Sequence, residues 1–222
     1  MMTRQLLQRA LFLCVCGCLA VAGMAIHAEA ASVLGSSPTL TAAEETNLQI
    51  TAKQKQALLV IFVRFKETSY SETRSILENK GVKVLVASST VDPLPGHEGK
   101  MTVKPDMLLS QVRTPEYDAI VFIGGGSNEG DNADAIRIAK EGAADGKVLA
   151  AIGWGAFTLI KADLLKGKRV ATAIEPFWIQ KAGATMSASP VERDGIIITG
   201  VGDSASRQFA ETIAAALTAG AN

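Results

Sequence analysis

In α/β enzymes a buried strand that turns sharply into a helix often presents a nucleophile on a strained residue at the turn. Lys147-Val148-Leu149-Ala150-Ala151-Ile152-Gly153-Trp154-Gly155-Ala156-Phe157 has that pattern, an apolar run followed by a glycine-bounded elbow. The apex is Gly153, which has no side chain to attack anything. The three cysteines are Cys14, Cys16 and Cys18, so everything after them lacks a thiol for catalysis, a disulfide or a thiolate metal site.

Other residues could carry chemistry, and each also has a plainer reading. Ser69 as a nucleophile needs a base within reach, and the two histidines are His27 and His97. Ser69 with Glu72 three residues on also fits a helix N-cap and capping box. His97 and Glu98 supply two ligands where a metal needs three or more, so no metal is expected. Gly124, Gly125 and Gly126 offer backbone N–H groups to an anion, or else a tight exit from a strand. Ser127-Asn128-Glu129-Gly130 follows, with no Walker lysine and no G-x-G-x-x-G run, which argues against a nucleotide. Glu175 and Asp203 would do acid–base work only if buried together. Trp154 either shapes a pocket over Gly153 for an apolar or planar ligand, or packs against the fold or a second copy. Phe177 and Trp178 read as a packing anchor or an oligomer contact. The candidate ligand pocket is therefore Ser69, Gly124, Gly125, Gly153, Trp154 and Glu175, with no catalytic residue assigned and no cofactor expected.

The elements that must position these residues alternate. Continuous apolar runs at 57–63, 82–86, 119–123 and 148–152 read as strands buried on both faces. Helices are expected over 69–80, 132–145, 156–161 and 205–217, the first stopped by Gly81. A short hairpin is expected near 100–103, a strand over 169–173, and a fold-back over 187–199 about Arg193-Asp194-Gly195. Short apolar strands separated by helices imply right-handed crossovers and a mostly parallel, doubly wound sheet in a three-layer α/β sandwich. Ligands in such sheets bind beyond the carboxyl ends of the strands. Arg64–Ser69, Gly124–Asn128 and Gly153–Phe157 all fall there.

From Lys55 to Leu217 the ordered pieces resemble the ThiJ/PfpI (DJ/PfpI) superfamily, a branch of the flavodoxin-like, class I glutamine amidotransferase-like fold. They are Ala57-Leu58-Leu59-Val60-Ile61 with Phe65, Asn79-Lys80-Gly81-Val82-Lys83-Val84, Gly96-His97-Glu98-Gly99, and Tyr117-Asp118-Ala119-Ile120-Val121 leading into the triple glycine. Gly146-Lys147 before the elbow strand, Leu164-Leu165-Lys166-Gly167-Lys168-Arg169 with Thr172, Lys181-Ala182-Gly183-Ala184 and Arg193-Asp194-Gly195-Ile196-Ile197-Ile198-Thr199 complete the series. The resemblance implies a homodimer and, in active members, an elbow cysteine assisted by a glutamate and often a histidine. Those positions fall on Gly153, on Ser69 and in Ala171–Pro176, none of which matches the pattern. The resemblance thus implies a domain over 55–222 without cysteine-dependent catalysis, acting by binding a small molecule or partner. The alternative is a hydrolase or lyase of glyoxalase, deglycase or amidase type on small carbonyl or amide substrates, using Ser69, Glu67 or Glu175.

Of the 22 basic and 22 acidic groups, Arg4, Arg9 and Glu29 lie in the first thirty residues, so the rest carries 20 and 21. A net charge near −1 offers no footprint for nucleic acid or an anionic membrane. Arg4 and Arg9, the apolar stretch Ala10–Ile26 and Ala28-Glu29-Ala30 read as a signal peptide over 1–30, followed by a flexible lead-in over 31–54. Retention of that segment as a membrane anchor, or lipidation at one of the three cysteines, are the alternatives. Export to the periplasm or beyond is expected. N-terminal sequencing of the exported protein should then begin at Ala31, and a chain still beginning at Met1 would select the anchor.

Overall fold

The computed structural model describes residues 53–126 and 129–219. The expected signal peptide and nearly all of the lead-in lie outside the described residues. In chain order the first strands are β1 (Gln56–Val60), β2 (Lys83–Ser88), β3 (Leu94–Pro95), β4 (Thr102–Val103), β5 (Met107–Leu108) and β6 (Ala119–Ile123). They continue with β7 (Val148–Ile152), β8 (Arg169–Val170), β9 (Thr185–Met186), β10 (Val191–Asp194) and β11 (Ile197–Gly200). The helices are α1 (Glu67–Asn79), α2 (Ala133–Ala144), α3 (Ala156–Lys161), α4 (Pro176–Lys181) and α5 (Ser206–Ala219).

Seven strands form one sheet in the order β10-β11-β7-β6-β1-β2-β5. All neighbours are parallel except the hairpin β10–β11, where Asp194 pairs with Ile197. The connection from β1 runs through α1 to β2 on one side, and that from β6 runs through α2 to β7 on the other. The connections therefore diverge between β1 and β6, which is where open α/β sheets form a ligand crevice.

Strand alternation feeds two cores. Along β6, Ala119, Val121 and Ile123 join Tyr70, Leu77, Phe209, Ile213 and Leu217 beneath α1 and α5. Ile120 and Phe122 point the other way, to Ala135, Ile138, Leu159 and Ile179 of α2, α3 and α4. Every side chain of β6 is buried, which explains why the strand reads as an unbroken apolar run. No helix among the described residues is long and apolar enough to cross a membrane.

The doubly wound sheet appears as expected, with local differences. α1 begins at Glu67, two residues early, because Lys66 takes the extended cap conformation at φ −71, ψ 113. β8 is only two residues long and pairs with β9 in a separate ladder, because Ala171 N–H is taken by the Thr199 hydroxyl at 2.9 Å. α4 was not expected; Pro176 starts it and Ile179 anchors it in the core.

Candidate functional site

β7 ends in extended backbone at Ile152, and Gly153 then turns left-handed with φ +59 before the 3-10 turn that enters α3. A residue with no β-carbon adopts that conformation without strain. The two flanking glycines are needed for a different reason. A β-carbon on Gly155 would overlap the Phe122 carbonyl oxygen, and one on Gly124 would stand 2.6 Å from Trp154 N and 2.7 Å from Ile152 O. At Gly153 the nearest groups outside the turn are Gly202 Cα at 3.9 Å and Val201 O at 4.0 Å. Gly153 alone of the three faces room. Its carbonyl accepts the Thr172 hydroxyl at 3.0 Å, and Thr172 Oγ1 accepts Ile174 N–H at 3.2 Å. That places the segment 171–176 under the elbow.

Ser69 is 1% exposed and lies within the first turn of α1, not at its cap. Its hydroxyl donates to Asp203 Oδ1 at 2.7 Å and lies 3.1 Å from the Ser206 hydroxyl, and its N–H reaches the same carboxylate at 3.3 Å. Lys66 Nζ lies 3.7 Å from Asp203 Oδ2. The expected capping box with Glu72 does not form, since that carboxylate faces Arg207 at 3.9 Å. Glu67 is buried and accepts the N–H groups of Glu98 and Lys100, each at 3.1 Å, which pins the turn carrying His97. Within that turn the Lys100 ammonium, bonded to Glu98 at 2.9 Å, holds the Glu98 carboxyl below its usual value and is itself pushed up. Glu175 is exposed at the start of α4 and makes no capping bond through its side chain. No hydrogen bond joins Ser69, Glu67 and Glu175 into a reacting set.

Gly124 and Gly126 give their amides to the backbone. Gly124 N–H donates to Ile152 O at 3.0 Å and Gly126 N–H to Arg64 O at 3.0 Å, while Gly124 O accepts Lys66 N–H at 2.9 Å. Gly125 bridges to Phe65. A recess of about 20 Å³ lies beside the turn, lined by Val60, Phe62, Phe122, Gly124, Gly130 and Trp154. It has room for roughly one water. Trp154 is 47% exposed and stacks on Phe157 at 6.1 Å, while Trp178 meets the edge of Phe157 at 5.5 Å. Phe177, 63% exposed, continues this aromatic ledge and does not anchor the core. Among the described residues no group of three His, Cys, Asp or Glu is placed to hold a metal.

The family model for the DJ-1/PfpI family matches residues 55–216. This chain belongs to the DJ-1/PfpI family. It is 33% identical over 165 residues to an uncharacterized protein of Methanocaldococcus jannaschii, covering 71% of this chain and 80% of that one. A deglycase of Pyrococcus abyssi is 38% identical over 95 residues, 42% of this chain and 57% of the relative. The crystal structure of a ThiJ/PfpI domain protein from Brachyspira murdochii superposes with a TM-score of 0.73 at 27% identity, covering 75% of this chain and 98% of that one.

Within this DJ-1/PfpI domain, Asp203 next to the elbow is the feature that sequence reasoning left undeveloped. Gly202-Asp203-Ser204 just before α5 carries the signal, since an acid at a helix start has a defined backbone position. Lys66 and Arg64 had no such signal.

Gly153 and Gly155 should respond differently to alanine. Gly153→Ala should cost about 1 kcal/mol, the strain of a left-handed non-glycine residue. Gly155→Ala should cost about 3 kcal/mol or more, because backbone must move. Urea unfolding checks this, and equal losses would contradict the geometry. In a chain with Cys14, Cys16 and Cys18 replaced by serine, Gly153→Cys should be alkylated rapidly by iodoacetamide in the native state. Ser69→Cys should react only as fast as the protein opens.

Proposed function

We propose that this DJ-1/PfpI domain is an exported protein that binds a small ligand or partner at the carboxyl end of its sheet and runs no cysteine chemistry. The carrying observation is the elbow itself: a left-handed Gly153, where a β-carbon would meet only the backbone of Gly202 and Val201 at ordinary contact distance, with no thiol in any residue beyond Cys18. Ser69 is no substitute nucleophile, because its buried hydroxyl is engaged by Asp203 and Ser206. A homodimer belongs to the same proposal, on the family resemblance.

A second reading is a deglycase-like hydrolase with a non-cysteine site, and relatives named deglycases favour it. Its ionisable groups would be Asp203 and Lys66, the pair beside Gly202 that faces the elbow. Full-length protein assayed on methylglyoxal, methylglyoxal-modified amines and simple amides separates the two. The binding reading expects release at the buffer rate, unchanged by Asp203→Asn or by Ser69→Ala. Turnover that Asp203→Asn abolishes would overturn it in favour of the hydrolase.

A further inference from the structure

Arg64 is one of two non-glycine residues with positive φ among the described residues, at +62. The other, Asp163 at +60, follows the end of α3, where a short polar residue tolerates that conformation. Arg64 has no such excuse. Its backbone is pinned on both sides, with Arg64 N–H donating to Pro95 O at 2.9 Å and Arg64 O accepting from Gly126 at 3.0 Å. Strain held in place by its surroundings is a recurrent mark of a site.

The strained backbone aims the side chain at one place. Arg64 Nε and His97 Nδ1 each lie 3.3 Å from the point where a β-carbon on Gly126 would stand. The two nitrogens therefore lie close together beside Gly126, on side chains that are both exposed. No carboxylate among the described residues forms an ion pair with Arg64, although eleven such pairs occur elsewhere. The neighbouring acids are otherwise engaged: Glu67 by two backbone N–H groups, Glu98 by Lys100, Asp203 by Ser69. The spot also lies beyond the carboxyl ends of β1 and β6, where the connections diverge. An exposed guanidinium and an exposed imidazole that close on one point match an oxyanion, which each can hold by a charge-assisted hydrogen bond.

We propose that Arg64 and His97 form an oxyanion-binding site over Gly126 that takes the carboxylate or phosphate group of a small ligand. The site rests on the ligand-binding reading above and names the ligand's charged group. It lies one strand away from the elbow, so a molecule held here by its anion extends along the sheet edge toward Gly153.

The test is titration calorimetry and thermal shift on the full-length chain with glycolate, inorganic phosphate and neutral glycolamide. Glycolate, phosphate or both should bind and raise Tm, as any native-selective ligand must. The preferred anion tells a carboxylate ligand from a phosphate one. Arg64→Gln should weaken binding about tenfold or more, the loss of a charge-assisted bond. Gly126→Val should do the same by filling the position while both basic side chains remain. Arg64→Gly relaxes the backbone, so it should keep the Tm of the ligand-free protein and still lose the anion, which excludes misfolding as the cause. Equal anion affinity in wild type and Arg64→Gln, or no anion binding by wild type, overturns the site. A neutral ligand that raises Tm equally in both would sink the oxyanion site and leave the ligand-binding reading standing. Anion binding lost in Arg64→Gln, alongside Asp203-dependent turnover of an amide, would do the reverse.

Discussion

The fold's functional end depends on how closely two stretches of backbone approach. The exit of β6 lies against the elbow after β7 with no β-carbon between them, because a side chain on Gly155 would overlap the Phe122 carbonyl and one on Gly124 would crowd Trp154 N. Gly124 N–H then closes on Ile152 O at 3.0 Å. The approach extends into α3, where a β-carbon on Gly130 would stand 2.9 Å from the Phe157 side chain. Glycine turn, elbow and helix are therefore packed against one another, and interiors packed this densely do not absorb an extra methyl group cheaply.

A second fastening joins the helices on the opposite face. α1 and α5 meet beneath one core, and Ser69, Asp203 and Ser206 clasp their first turns together. Both hydroxyls are fully buried, where an unmade hydrogen bond would cost about 1–3 kcal/mol, so the carboxylate satisfies a real demand. The Lys66–Asp203 pair at 3.7 Å is partly exposed and adds little stability by itself. Its consequence is positional. It fixes Gly202 against Gly153, so the space at the elbow is bounded by backbone from the far end of the chain.

The sheet was legible in the sequence because strands buried on both faces leave unbroken apolar runs, as at Ala119–Ile123 and Val148–Ile152. The elbow was legible because Gly153 and Gly155 bracket a sharp change from strand to helix. What stayed hidden depends on contacts between residues far apart in the chain. Ser69 looks like an N-cap until Asp203, 134 residues on, claims its hydroxyl. Glu67 looks like a free acid until the amides of residues 98 and 100 close on it. Trp154 and Trp178 read as packing residues or as contacts with a ligand or a second copy, because hydrophobicity alone does not say which aromatic faces water. Arg64 was illegible for a deeper reason: nothing in the string Val63-Arg64-Phe65 marks a left-handed backbone that glycine would hold more easily.

That last point bears on where chemistry sits in this domain. Among the places at the carboxyl end of the sheet with positive φ are residue 153 after β7 and residue 64 after β1. A nucleophile elbow puts its reactive side chain on the strained residue, which costs on the order of 1–3 kcal/mol. Here the elbow position is glycine, so its left-handed turn is made without strain. The equivalent strain is borne one strand beyond β6, at Arg64, where a glycine would relieve it and a long cationic side chain stands instead. Backbone hydrogen bonds to Pro95 and Gly126 hold that conformation from both sides. The elbow thus carries no side chain, whereas Arg64 carries a long one on strained backbone beside the crevice between β1 and β6. The group it presents there is a donor of positive charge, suited to holding an anion and not to attacking a carbonyl.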